Sequence, residues 1–226
     1  MRIIAGSAGG IHLKVPPGVT RPTTDRVREA VFSMLGDSVL DASVLDLFAG
    51  SGGMGLEALS RGAREAVFVE QNGQAASILQ GNLQHARLPH GRVVKADVFT
   101  TLRRLADSAE KFHAIFADPP YAKKPGDVDH GARLLESSDL RTVLKEGGLF
   151  VLETMVTKGA AGVIAGWEVI RDRAYGSTRI LILQLPNSHD GATSGADALQ
   201  SPPAPDVAGH GPEGVEEDEG ARRETR

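Results

Sequence analysis

Between Val44 and Val151, short apolar runs alternate with amphipathic stretches, and no other feature of the chain narrows the fold as far. Short strands separated by helix-period segments must run parallel, with the helices covering both faces of one sheet. Strands are expected at 43–48, 66–70, 92–96, 112–118 and 148–153, with helices at 54–61, 74–86, 98–107 and 129–144. Stretches 167–175 and 177–184 follow as two strands joined around Gly176, a hairpin that finishes the sheet with an antiparallel pair. The expected fold is α/β, Rossmann-like, with seven strands.

Residues 1–40 form a small extension ahead of this core, and the core itself spans 41–186. Segments 2–5 and 11–15 flank a glycine-rich turn as a hairpin, followed by a Pro-Pro turn at 16–17. Thr24 with Asp25 provides an N-cap, and Val27, Ala30, Val31, Met34 and Leu35 share one face of the helix that follows. Arg21, Arg26 and Arg28 lie in or just before that helix, on faces that packing does not need. They form either a solvated face or a set of phosphate contacts.

Residues 187–226 hold only Leu199, Val207 and Val215 as larger apolar residues and carry the acidic run Glu216-Glu217-Asp218-Glu219. Such a tail cannot bury a core and is expected to be disordered. It holds nine acids and three arginines, so the net charge of −4 leaves the first 186 residues at +2. The chain has no cysteine, which removes disulfides and thiolate metal sites. No apolar run reaches about 18 residues and no basic-then-apolar segment opens the chain, so a cytoplasmic protein without membrane association is expected. His12, His85, His90, His113 and His130 share neither a helical spacing nor acidic partners, so no metal is expected.

Asp118-Pro119-Pro120-Tyr121 closes the apolar run that begins at Phe112. Each proline fixes its own φ and lacks an N–H, and Pro119 pushes Asp118 toward extended backbone. A carboxylate, a free carbonyl and an aromatic ring therefore meet at the C-terminal edge of a sheet, where open α/β folds bind ligands. An exocyclic amine on a base is a poor nucleophile because its lone pair is delocalised into the ring. If Asp118 and the Pro119 carbonyl each accept one amino hydrogen, the nitrogen pyramidalises and its lone pair can meet an electrophilic methyl. Tyr121 can stack on the base, a contact worth roughly 1–3 kcal/mol. The competing reading is a strand end followed by an ordinary Pro-Pro turn.

The segment Asp46-Leu47-Phe48-Ala49-Gly50-Ser51-Gly52-Gly53-Met54-Gly55 reads as strand, glycine turn and helix start. Gly50, Gly52 and Gly55 satisfy GxGxxG, and Glu70 follows Gly50 by twenty residues, so a dinucleotide-binding dehydrogenase is the rival reading. Asp46 separates the two. A pyrophosphate at the loop would be repelled by that carboxylate, whereas the sulfonium and amino group of S-adenosyl-L-methionine are cations. Glu70 can accept ribose hydroxyls in either case, and Asp97 can accept from an adenine amino group.

DLFAGSGGMGLEALSRGA at 46–63, RPTTDRVREAVFSML at 21–35 and DPPY at 118–121 resemble segments of the RsmD-type bacterial ribosomal RNA methyltransferases, and the opening MRIIAG looks like that family too. The resemblance covers about residues 1–185. It implies a class I S-adenosylmethionine-dependent methyltransferase that modifies the exocyclic N2 of one guanine in small-subunit ribosomal RNA. By that likeness Asp46, Phe48, Ala49, Gly50, Gly52, Glu70, Gln71, Asp97 and Val98 contact the cofactor. Asp118, Pro119, Pro120 and Tyr121 take the base, and Arg21, Thr24, Arg26 and Arg28 contact RNA. The first turn, Ser7-Ala8-Gly9-Gly10, lacks the aromatic and basic patch usual in the family, and the acidic tail is foreign to its pattern.

Residue chemistry adds a lean of its own. The Watson–Crick edge of guanine offers two adjacent donors, which suits Asp118; adenine offers a donor beside an acceptor. Methyl transfer is expected to be direct and in line. A charge of +2 on the first 186 residues is small for autonomous RNA binding, so an assembled small-subunit particle is the expected substrate, engaged by a monomer. Other base-amine methyltransferases, of DNA or other RNA, keep the same chemistry. A protein glutamine methyltransferase would usually carry Asn in place of Asp118, and a dehydrogenase would need a substrate domain that the chain has no room for. A non-catalytic RNA-binding module would have no use for the cofactor loop.

Overall fold

The computed structural model describes residues 1–16, 24–122, 124, 126–156 and 163–186. Arg21, the second proline of the 16–17 turn and the acidic tail lie outside the described residues. These described residues belong to one compact unit.

Five parallel strands make the centre: β1 (Ser43–Leu47), β2 (Glu65–Val69), β3 (Gly91–Val94), β4 (Phe112–Ala117) and β5 (Leu144–Met155). The expected hairpin follows as β7 (Trp167–Tyr175) and β8 (Thr178–Gln184), preceded by a two-residue edge strand, β6 (Val163–Ile164). The spatial order is β3-β2-β1-β4-β5-β8-β7-β6, with β8 antiparallel to β5. The direction in which the chain adds strands therefore reverses between β1 and β4. That switch point opens the crevice in which ligands of doubly wound folds sit.

Alternation along the strands sorts the core onto two faces. Val44, Ala66, Phe68, Ala114, Phe116, Val151, Ile180 and Ile182 pack on one side with α1 (Asp25–Leu35), α2 (Gly53–Ser60) and α3 (Gly73–His85). Leu45, Leu47, Val67, Val69, Ile115, Phe150 and Leu181 pack on the other with α4 (Val98–Asp107), α5 (His130–Glu136) and α6 (Ser138–Val143).

The single helix expected over 129–144 is two helices. Ser137 has extended backbone, φ −70° and ψ 118°, and its hydroxyl accepts from the Leu140 N–H at 3.2 Å, so it ends α5 and caps α6. Leu144 already belongs to β5, and the register with β4 slips between Phe112 and Ala114.

The N-terminal hairpin is reduced to one bridge, Arg2 with His12. Its ladder is incomplete because Glu57, fully buried in α2, takes the backbone donors of Ile4 at 2.7 Å and Ala5 at 3.1 Å. Ser60 continues the stitching: its hydroxyl accepts from the Ala8 N–H at 2.9 Å and donates to the Ala5 carbonyl. Gly6 lies so near α2 that a Cβ would sit 1.8 Å from the Ser60 carbonyl oxygen. Ile3, Ala8 and Leu13 thereby enter the main core, and the extension packs as part of it.

Among the described residues, no helix is long and apolar enough to cross a membrane, and no group of three or more His, Cys, Asp or Glu could hold a metal ion.

Candidate active site

The glycine loop follows β1 and meets the end of β2. Asp46 on β1 is buried, and its Oδ2 accepts from the Gly55 N–H at 2.8 Å, tying the strand to the first turn of α2. Phe48 and Gly50 have φ of 56° and 55°, and Gly52, the residue before α2, has 89°. A Cβ on Gly50 would meet nothing within 4 Å, so this glycine serves the torsion and leaves space open beside the loop. Gly52 and Gly55 serve packing: a Cβ would lie 2.2 Å from Leu79 at the first and 2.3 Å from Phe68 at the second.

Glu70, just past β2, accepts from the Gly50 N–H at 2.8 Å through one oxygen and from the Asn72 N–H at 2.7 Å through the other. Gln71 beside it is exposed. Ala49 is buried and donates to the Val69 carbonyl at 3.0 Å. Asp97 caps α4, accepting from the Thr100 N–H at 2.8 Å, and this bond holds its carboxyl below the usual range. Val98 is buried behind it.

Burial does the opposite to Asp46. Desolvation, opposed by the Gly55 bond and reinforced by the nearby Asp118 and Glu70 charges, raises its pKa to about 8. A cation brought to the loop would pull that value back down. The cradle therefore suits a sulfonium and an ammonium and opposes a pyrophosphate. Its residues fit S-adenosylmethionine: an open loop at Gly50, acids at Asp46, Glu70 and Asp97, and no anion-neutralising side chain among the contacts described.

Across the switch point, Asp118 follows β4 and Glu153 lies on β5. Ala117 is in register with Leu152, so the two acids occupy matching positions on neighbouring strands. Both line a small pocket whose other walls are Val31, Met54, Phe116, Ala117, Val151 and Ile180. Pro119 is buried and Pro120 exposed. The half-buried Tyr121 donates its hydroxyl to Glu153 Oε1 at 3.3 Å. Burial and the charges of Glu153 and Asp118 keep that phenol protonated by raising its pKa.

The first helix corrects one expectation. Arg28, expected on a free face, is fully buried: its guanidinium bonds the Arg2 carbonyl and Asp25 Oδ1, the latter at 2.9 Å. It anchors the N-terminal segment to α1 and cannot reach a phosphate. Arg26 is exposed, and the exposed Thr24 caps the helix, accepting from the Val27 N–H at 3.4 Å.

Two groups of residues carry no sequence signal of their own. Glu153 belongs to no motif, since only sheet pairing places it beside Asp118. Phe48, Phe99 and His130 form a ring cluster with centroids 5.6 to 6.5 Å apart, and the Arg133 guanidinium lies 3.6 Å from the centre of the Phe99 ring. This cluster flanks Asp97, whose carboxyl the Arg133 charge also lowers.

A sheet of this order, with its glycine loop and strand-end acids at the switch point, is the fold of the class I S-adenosylmethionine-dependent methyltransferases. The Thermus thermophilus 16S rRNA N2 G1207 methyltransferase, solved with AdoMet and guanosine, shares it with a TM-score of 0.58 at 22% identity, over 75% of this chain and 44% of that one. Residues 1–184 match the family model described as conserved hypothetical protein 95, and the chain belongs to that family, the RsmD family. It is similar to the Escherichia coli (strain K12) ribosomal RNA small subunit methyltransferase D, with 36% identity over 186 residues, 81% of this chain and 89% of that protein. A hypothetical protein of Thermus thermophilus has a similar structure, with a TM-score of 0.68 at 33% identity over 82% of this chain and 99% of that one.

Proposed function

We propose that this chain uses S-adenosyl-L-methionine to methylate the exocyclic N2 of a guanine in small-subunit ribosomal RNA. The observation that carries the reading is the adjacency of two unlike sites across the β1–β4 switch point. One is a cation-seeking loop bounded by Asp46 and Glu70; the other is the strand-end segment Asp118–Tyr121, whose phenol bonds Glu153 on the neighbouring strand. Similarity to a ribosomal RNA methyltransferase over most of both chains supports the substrate class.

Bound at the loop, S-adenosylmethionine supplies an electrophilic methyl group. Glu70 would hold its ribose hydroxyls, and Asp97 and Val98 would hold its adenine. Asp118 and the Pro119 carbonyl accept the two amino hydrogens and aim the nitrogen lone pair. Tyr121 covers the base. Transfer is direct and in line, with no covalent enzyme intermediate, and positioning of this kind supplies up to roughly 7–11 kcal/mol.

Arg26, in the first turn of α1, contacts phosphate, as does Arg21 ahead of it in the sequence, and the substrate is an assembled particle in the cytoplasm, bound by a monomer. Mapping modified nucleotides in ribosomal RNA from cells lacking this protein, then restoring the mark in vitro on naked RNA and on the particle, tests the whole reading. Loss of one N2-methylguanine that the particle regains is expected. An unchanged modification map would overturn it.

A further inference from the structure

Glu153 sits where a second specificity contact is needed. Strand alternation directs Asp46, Asp118 and Glu153 to the face that also carries Phe116, Val151 and Ile180. Phe116 pairs with Val151, and Glu153 pairs with Ile180 across β5 and β8, so an apolar floor ends in two carboxylates on adjacent strands. The apolar residues are buried under α1, so a base meets the partly exposed carboxylates at the strand ends. The two carboxylates then determine which base edge is tolerated.

An edge that carries a ring acceptor, as in adenine or cytosine, would set a lone pair against a carboxylate. An edge with donors only satisfies both acids. Guanine presents the amino group and the adjacent N1–H. We infer that Glu153 accepts the N1–H of the target guanine while Asp118 accepts from the amino group, so that the pair reads guanine by its two neighbouring donors. Tyr121 holds the Glu153 carboxylate by its 3.3 Å bond to Oε1. A carboxylate accepts several donors at once, so the group can be held by the phenol and still take a hydrogen from the base. The inference rests on the guanine reading above and adds the residue that enforces it.

Nucleoside binding separates the two acids, because inosine keeps the N1–H and lacks the amino group. The full chain, saturated with S-adenosylhomocysteine so that the cofactor site is closed to nucleosides, is titrated with guanosine, inosine and adenosine. The wild-type protein is expected to prefer guanosine and inosine to adenosine. Glu153→Ala should weaken both by about tenfold, the loss expected for one hydrogen bond to a charged group. Asp118→Ala should weaken guanosine and leave inosine within about twofold.

Glu153→Gln keeps an acceptor and gains a donor, and should close the gap between guanosine and adenosine. It also serves if the alanine variant loses S-adenosylhomocysteine binding or melts early. Unchanged inosine affinity in Glu153→Ala, or an undiminished guanosine preference in Glu153→Gln, overturns the role of Glu153 alone. A wild-type protein with no preference for guanosine over adenosine overturns the guanine reading beneath it.

Discussion

The Gly55 N–H donates to the buried Asp46 carboxylate at 2.8 Å, so the acid that marks the end of β1 also fixes the first turn of α2. One residue thereby joins strand, loop and helix, and its charge state is coupled both to folding and to what the loop binds.

The folded-state pKa of Asp46, about 8, lies above its ordinary value of 3.8. The folded protein therefore keeps a proton that the unfolded chain releases, and the contribution of this group to stability falls as pH rises from about 4 to about 8. Asp46→Asn keeps the acceptor for Gly55 and removes the titration. Its denaturant midpoint should depend less on pH over that window than the wild-type midpoint does, as chemical unfolding at pH 5 and pH 8.5 would reveal.

Ionisation of Asp46 should also favour a sulfonium over a thioether. The affinity for S-adenosylmethionine relative to S-adenosylhomocysteine is expected to rise between pH 6 and pH 9, and to stay flat in Asp46→Asn. Calorimetric titration of both ligands across that range checks it.

Asp118→Ala should lower the methyl-transfer rate by about 100-fold or more while leaving S-adenosylmethionine affinity within about threefold, because the carboxylate positions the amine. Single-turnover transfer to particles that lack the mark, with a parallel binding isotherm, separates the two effects.

The two arginines of α1 should behave differently. Arg26→Ala is expected to weaken RNA binding and to reduce the slope of log affinity against log salt by about one contact. Arg28→Ala should instead cost about 2–3 kcal/mol of stability through lost buried bonds and packing. Binding at several salt concentrations and a denaturation curve for each variant distinguish them.

Glu57→Ala should destabilise the fold by about 3 kcal/mol, because the amides of Ile4 and Ala5 and the Arg61 guanidinium lose their acceptor together. Faster hydrogen exchange confined to residues 3–13, seen before global unfolding, would mark release of the N-terminal segment.

The core is legible in the sequence because its cues are local. β1, β2 and β4 fall within one residue of the stretches marked by apolar runs, α4 matches 98–107, and Thr24 caps α1 as its hydroxyl and position imply. The break at Ser137 is not legible, because a serine hydroxyl can equally lie on a helix surface or cap a new helix. Arg28 is hidden for a similar reason: helical spacing ranks faces by apolarity, and only a neighbouring segment can bury a charged one.

By itself the sequence determined the sheet, the glycine loop with its strand-end acids and the Asp118–Tyr121 turn, since periodicity, φ preference and capping act over a few residues. Tertiary structure alone decided that Glu153 stands beside Asp118, that Glu57 holds the N-terminal segment, and that Asp46 is buried enough to retain a proton. Each of these depends on which strands and helices become neighbours, and therefore on desolvation and hydrogen bonds between residues far apart in the chain.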